Sequence, residues 1–188
     1  VIVEGAETPP YTVDAEPAQQ VAESLASSLA HFGTEYLDSL LLHGPQQPQS
    51  MTATDWAFWR AMETAHERGT VQCIGISNIG PGHLQDLLAG ASVPPMVVQN
   101  RCFARNGWDR AVRYLCAEHG IAYQGFSLLT ANPFVPKHPE VTRIAAEHVV
   151  TPAQIVFAFA RHVGMIPLTG TTSQRHMADD LAALRIEL

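Results

Sequence analysis

Five short apolar runs in this chain each end in residues with polar chemistry. His43 follows Leu37–Leu42, and Ser77 and Asn78 follow Val71–Ile76. Gln99 and Asn100 follow Met96–Val98, Ser127 follows Ile121–Phe126, and Thr169 and Gly170 follow Met165–Leu168. Imidazole, hydroxyl and amide side chains donate or accept hydrogen bonds, and an imidazole can also move a proton near neutral pH. Such groups suit a small-molecule site if the fold gathers them. Other chemistries lack their residues. Lysine occurs once, at Lys137, against ten arginines, so any mechanism that needs a lysine has one candidate. Cys73, Cys102 and Cys116 stand in no metal-ligand spacing, and no HExxH-type spacing links His138, His148 and His162, so no metal site is expected. The GxGxxG, GxxxxGK(S/T) and GxSxG signatures are absent as well.

The elements that must position these groups follow from periodicity. Val21, Leu25, Ala26 and Leu29 recur at three-and-four spacing, which predicts a helix from Ala18 to Phe32 with Gly33 as its C-cap. Further helices are expected from Thr54 to Arg68, from Pro81 to Leu88, from Asp109 to His119, from Thr151 to Val163, and from a Ser173 cap toward Leu184. Trp56 and Trp59, three apart on the second helix, read as packing residues. Strands apolar throughout and alternating with helices predict a parallel α/β architecture. In such a sheet the polar residues after each strand share the carboxyl edge, where ligand sites form. Val1–Pro17, with three prolines, reads as an extended loop. The segment Gly44–Pro48, with its two glutamines, is either a substrate loop or a plain connection.

Composition bounds the function class. The chain has 188 residues, 46% of them apolar and 15% charged, which suits a single domain with a sizeable core and excludes a disordered protein. A net charge of −7 argues against nucleic acid or an anionic membrane as the main partner. No apolar run approaches the ~20 residues of a membrane span. The unpaired cysteine count favours a reducing, cytoplasmic setting.

Taken in order, six segments resemble the aldo-keto reductases. They are Tyr36-Leu37-Asp38 through His43-Gly44-Pro45, Ile74-Gly75-Ile76-Ser77-Asn78, Val98-Gln99-Asn100, Gly125-Phe126-Ser127-Leu128-Leu129, Thr151-Pro152-Ala153-Gln154, and Ile166-Pro167-Leu168-Thr169-Gly170-Thr171-Thr172 with His176-Met177 and Asp179-Asp180-Leu181. Singly, each has an ordinary structural explanation, such as a capping histidine at 43 or a core aromatic at 126. Their joint order carries the resemblance.

The resemblance implies a (β/α) barrel of the TIM-barrel type, of which this chain corresponds to strands four to eight, as one truncated domain over residues 1–188. It implies an oxidoreductase that uses NADP, with NAD as the alternative, on a small-molecule substrate. By the same resemblance Ser77, Asn78 and Gln99 hold the nicotinamide carboxamide and Phe126 stacks on its ring. Ser127, Leu129, Thr169, Gly170, Thr171, Thr172, Arg175, Asp179 and Asp180 belong to the remainder of the cofactor site. Leu168 stands where many members have lysine, and His176 stands near the arginine that grips the 2′-phosphate, with Arg175 the nearest substitute. Of the family's catalytic Asp, Tyr, Lys and His, only the histidine carries over, as His43. Tyr11, Tyr36, Tyr114, Tyr123 and Lys137 all fall elsewhere in the pattern. Impaired redox activity is therefore expected. The alternative is non-redox acid–base chemistry through His43, as in an isomerase, dehydratase or cyclase. A five-stranded part of a barrel has two bare edges, so a homo-oligomer or dependence on a missing amino-terminal half is expected.

Overall fold

A computed structural model describes residues 9–188. The extended first loop expected at Val1–Pro17 lies outside the described residues as far as position 8. From position 9 onward that stretch forms only bends and turns, up to Pro17.

Two compact units divide the chain, one ending at Val98 and the other beginning at Gln99. The first carries α1 (Pro17–Phe32), β1 (Leu37–Leu42), α2 (Ala53–Glu67), β2 (Val71–Ser77) and α3 (Pro81–Gly90), and it ends as β3 (Val97–Arg101) begins. The second carries the rest of β3, then α4 (Arg110–Glu118), β4 (Ala122–Phe126), α5 (Pro139–Glu147), α6 (Pro152–His162), β5 (Ile166–Pro167) and α7 (Gln174–Ala182). The strands stand in chain order, β1-β2-β3-β4-β5, in one parallel sheet.

Local chemistry explains the element ends. Pro17 opens α1, and Gly33 closes it at φ +64°, a left-handed conformation that glycine adopts without Cβ strain. At α2 the Thr52 hydroxyl accepts the Asp55 N–H, while the Asp55 carboxylate accepts the Thr52 N–H. Loss of such a reciprocal cap typically costs about 1 kcal/mol. Thr151 and Gln154 repeat the arrangement at α6.

In the first unit Trp59, Met62, Val71, Ile74, Ile76, Leu84 and Leu87 are fully buried between β2 and its helices. Trp59 donates its indole N–H to the Val93 carbonyl, so the largest core ring leaves no buried donor unpaired. Trp56 packs on Gly90, where an added Cβ would lie 2.9 Å from the indole. Buried Glu63 accepts the Ser92 and Val93 N–H groups at 2.7 and 2.9 Å and thereby pins the α3–β3 connection. In the second unit Val112, Cys116, Leu128, Val156, Phe157, Ala158 and Ala160 form the core.

Two details depart from the expected pattern. The third strand starts at Val97 rather than Met96, although the Met96 N–H already reaches across to the Ile74 carbonyl; Pro94 and Pro95 before it have no N–H to extend the ladder. Pro139–Glu147 is a further helix, with Val141, Ile144 and Ala145 at three-and-four spacing on its covered side. Local bonds hold it: His138 Nδ1 accepts the Glu140 N–H, and Arg143 reaches both Glu140 and Glu147.

Gly75 marks the closest approach of β2 and β3. A Cβ there would collide with the Val97 carbonyl oxygen and lie 2.9 Å from the Val97 Cβ. Gly75→Ala should therefore destabilise the chain by about 1–3 kcal/mol, read as a lower urea midpoint at unchanged slope. An unchanged midpoint would mean that the two strands are free to move apart.

Candidate functional site

In the first unit the candidate residues are positioned by strand register. Leu41 pairs with Gly75 and Leu42 with Ile76, so His43 and Ser77 are the next residues along neighbouring strands. Asn78 then leaves β2 in a left-handed conformation, φ +58°, which asparagine tolerates better than most residues. Its Nδ2 donates to the His43 carbonyl at 2.8 Å. Gly44 lies against this bond, and a Cβ there would sit in ordinary contact, 3.4 Å from the Ser77 carbonyl and 3.5 Å from the Asn78 Cβ. Ser77 is buried, whereas the His43 side chain is exposed at the strand end. The part of the imidazole that the fold does cover pulls its pKa below the ordinary value, because burial disfavours the charged form. The fold thus favours the neutral form of the His43 ring, which can both donate and accept a hydrogen bond.

The second unit repeats the device. Gln124 pairs with Ile166 and Gly125 with Pro167, and the Leu168 N–H extends the ladder to the Gly125 carbonyl at 2.8 Å. Phe126 and Ser127 therefore run beside Leu168 and Thr169. Ser127 also turns left-handed, at φ +58°. Gln99 donates to the Gln124 side-chain carbonyl at 2.9 Å, so two amides lie side by side. The Arg101 guanidinium stands 5.5 Å from the Phe126 ring centre. Leu129 is half-buried.

Beyond β5 the chain makes an exposed turn. The Thr169 hydroxyl donates to Asp180 Oδ2 at 2.8 Å, and Thr171 Oγ1 accepts the Ser173 N–H. Ser173 caps α7 by accepting the His176 N–H. Thr169, Gly170, Thr171, Met177, Asp180 and Leu181 line a cleft of about 480 Å³. Nothing lies within 4 Å of the place a Cβ would take on Gly170, so its backbone is open to approach. Thr172 and Arg175 are exposed, and Arg175 Nε stands 3.8 Å from Asp179 Oδ2.

One polar cluster of the second unit has no signal in the sequence. Asp109 Oδ2 accepts from the Tyr123 hydroxyl at 2.7 Å and from Asn100 Nδ2 at 2.8 Å, and the Cys102 sulfur lies 3.1 Å from the same hydroxyl. Trp108 and Asp109 both take left-handed conformations to bring the carboxylate there. The residues are 9 and 14 positions apart from Asp109, a spacing no local periodicity predicts. Burial, the Cys102 bond and the Asp109 charge all push the Tyr123 phenol up, away from the range of a proton donor at neutral pH. Burial likewise raises Cys102, and it pushes Cys116 up to about 12. Tyr114 packs under Arg110, and Lys137 is exposed on a 3₁₀ turn, so neither joins Tyr123. Among the described residues no cluster of metal-ligating side chains occurs, and no helix is long and apolar enough to cross a membrane.

Comparison with known proteins gives this arrangement a setting. Residues 8–188 match the model of the aldo/keto reductase family. The oxidoreductase YtbE of Bacillus subtilis is 28% identical over 170 residues, 90% of this chain and 58% of that protein. The NAD/NADP-dependent indole-3-acetaldehyde reductase of Schizosaccharomyces pombe is 31% identical over 166 residues, 86% of this chain and 58% of its own length. Among solved structures, an aldo-keto reductase from a deep-sea metagenome superposes with a TM-score of 0.81 at 21% identity, covering 94% of this chain and 64% of that one. The chain thus spans less than two thirds of the length of these relatives.

The Tyr123 environment makes a prediction about alkaline stability. A phenol whose folded pKa is raised stabilises the fold fully below its unfolded value of about 10, and that contribution is lost as pH rises beyond it. The urea midpoint of the native chain should therefore fall above pH 10, and Tyr123→Phe should flatten that fall while lowering the midpoint at pH 7. Equal alkaline slopes for the two proteins would place the phenol in water.

Proposed function

The chain belongs to the aldo/keto reductase family, and on that premise we propose that its strand ends are the nicotinamide-dinucleotide site of an oxidoreductase interconverting aldehydes or ketones with alcohols. The observation that carries this reading is the cleft walled by Thr169, Gly170 and Thr171. Its volume of about 480 Å³ falls within the ~300–1,000 Å³ usual for small-molecule sites, and the open Gly170 backbone and the Thr171 hydroxyl suit phosphate and ribose oxygens.

The residues present fit the cofactor by their chemistry. Phe126 offers a half-buried ring face, and the exposed Arg101 above it is held by a contact worth only about 0.5–1 kcal/mol, which an incoming aromatic ring can displace. Ser77, Asn78 and Gln99 hold the carboxamide in this reading. In this reading Ser127, Leu129, the Thr169–Thr172 turn, Asp179 and Asp180 belong to the remainder of the cofactor site. When bound, the cofactor supplies the hydride. His43, with its neutral form favoured, orients a substrate carbonyl by a hydrogen bond. In relatives' names the substrates are small carbonyl compounds such as indole-3-acetaldehyde and glyoxal, and the substrate of this chain is assigned to the same class.

Carbonyl reduction also needs an acid that protonates the developing alkoxide, and loss of that acid alone commonly costs ~10²–10⁴-fold in rate. Tyr123 is buried with a raised pKa, Tyr114 is committed to Arg110, and the single lysine is exposed on a distant turn of the same unit. We therefore assign to these residues cofactor and carbonyl binding with redox turnover impaired. We further assign the outer edges of β1 and β5 to pairing with other strands, from a second copy or from an amino-terminal half.

NADP is proposed over NAD through Arg175. Its 3.8 Å contact with Asp179 is a surface pair, worth about 0–1 kcal/mol, and can be exchanged for a phosphate. Calorimetry should give saturable binding of NADPH and weaker binding of NADH. Arg175→Ala should weaken NADPH by about tenfold, the equivalent of ~1.4 kcal/mol, and leave NADH unchanged. Absence of heat with both nucleotides would overturn the site, and equal loss for both would remove Arg175 from the choice between them.

A further inference from the structure

The loop after His43 exposes its side chains while its backbone is held from inside. Gln46, Gln47, Pro48 and Gln49 are all exposed. Yet Gln46 N–H donates to Asp55 Oδ1 at 3.1 Å, and Met51 N–H donates to Asp86 Oδ2 at 2.9 Å. Gln49 places its carbonyl oxygen 2.5 Å from where Gly82 would carry a Cβ, so any larger residue at 82 would push the loop away. Between these points the Gln47 carbonyl meets His83 Nε2 at 2.8 Å.

His83 is 2% exposed, the one histidine among the described residues that is fully buried. Its tautomer follows from its partners. Gly80 N–H donates to Nδ1 at 3.2 Å, so Nδ1 carries a lone pair and the ring hydrogen sits on Nε2, aimed at Gln47. Capping α3 needs only Nδ1, and a side chain as short as asparagine would serve. The second nitrogen reaches a residue 36 positions earlier in the chain.

We propose that His83 is a positioning residue that latches the Gly44–Met51 loop through the Gln47 carbonyl and so fixes the segment carrying His43. The latch completes a set of four backbone anchors: Asn78 on the His43 carbonyl, Asp55 on Gln46, His83 on Gln47 and Asp86 on Met51. Every anchor takes a backbone group, so the exposed glutamines are free to face a substrate without setting the loop's shape. The importance of the latch rests on the reading of His43 as the carbonyl-orienting group.

Two isosteric variants separate the latch from the cap. In His83→Asn the amide oxygen can replace Nδ1 toward Gly80, but nothing reaches Gln47. In His83→Gln the terminal amide N–H comes to the place of Nε2. Amide exchange on the intact chain is read at Gln46 and Met51 relative to the core amides of Ile74 and Leu87, so that global loss of stability cancels. With the Gln47 carbonyl deprived of its His83 partner, His83→Asn should speed loop exchange about tenfold or more. The His43 imidazole resonance should then titrate closer to the ordinary value, and His83→Gln should restore both readouts. Loop exchange and His43 titration unchanged in His83→Asn would reduce His83 to a helix cap. Equal effects in both variants would make it a packing residue. Neither readout needs cofactor or turnover, so failure of the oxidoreductase reading would leave this test standing.

Discussion

Register along the parallel ladder is the constraint on which the other features rest. With Leu42 opposite Ile76, His43 is delivered beside Ser77, and the Asn78 amide finds the His43 carbonyl at 2.8 Å. With Gly125 opposite Pro167, Phe126 and Ser127 come out beside Leu168 and Thr169. Side chains alternate along a strand, so a slip of one residue would turn each polar end residue to the other face of the sheet. Glycines in both ladders keep the register tight. Gly75 lets Val97 approach, and Gly125 leaves room for Met165 and Cys102 sulfurs at 3.0 and 3.1 Å from the absent Cβ.

Fixed strand ends would be of little use if the loops between them moved freely, and the buried polar residues address this. Glu63 holds two backbone N–H groups before β3. Asn132, 1% exposed, accepts the Ala104 N–H and donates to the Cys102 and Leu128 carbonyls, which ties the turns after β3 and β4 together. Asp55 and His83 do the same around the loop after β1. In each case a buried polar side chain would be costly alone, by about 1–3 kcal/mol, and its partners are backbone groups that would otherwise be unpaired in a turn. Specificity of loop shape is thereby separated from the identity of the exposed loop side chains.

Much of this was legible in the sequence. Apolar runs at 37–42, 71–76 and 121–126 mark strands because parallel strands are buried on both faces, and Thr151 and Ser173 announce helix starts through capping chemistry, whereas the second helix starts at a Thr52 cap rather than at Thr54. The polar residues after each run fall at the carboxyl ends of the strands, as a parallel sheet requires. What was not legible depends on distance along the chain. The bond from His83 to Gln47 spans 36 residues and that from Tyr123 to Asp109 spans 14, and neither leaves a periodic trace. Helix α5 carries a short apolar stripe, Val141, Ile144 and Ala145, whose three-and-four spacing is legible behind the Pro136–Pro139 lead. The positive φ of Asn78 and Ser127 was hidden, since neither residue is a glycine.

The central claim is that the carboxyl ends of these strands hold a nicotinamide dinucleotide. Backbone amide shifts of the isotopically labelled chain, followed while NADPH is added to saturation, test it most directly. The account predicts shifts concentrated at Ser77, Asn78, Ser127, Leu129 and Thr169–Thr172, with the opposite end of the strands near Thr70 and Gly120 unmoved. Shifts absent from those positions, or confined to the separate cleft lined by His162, Ile166 and Leu188, would contradict it.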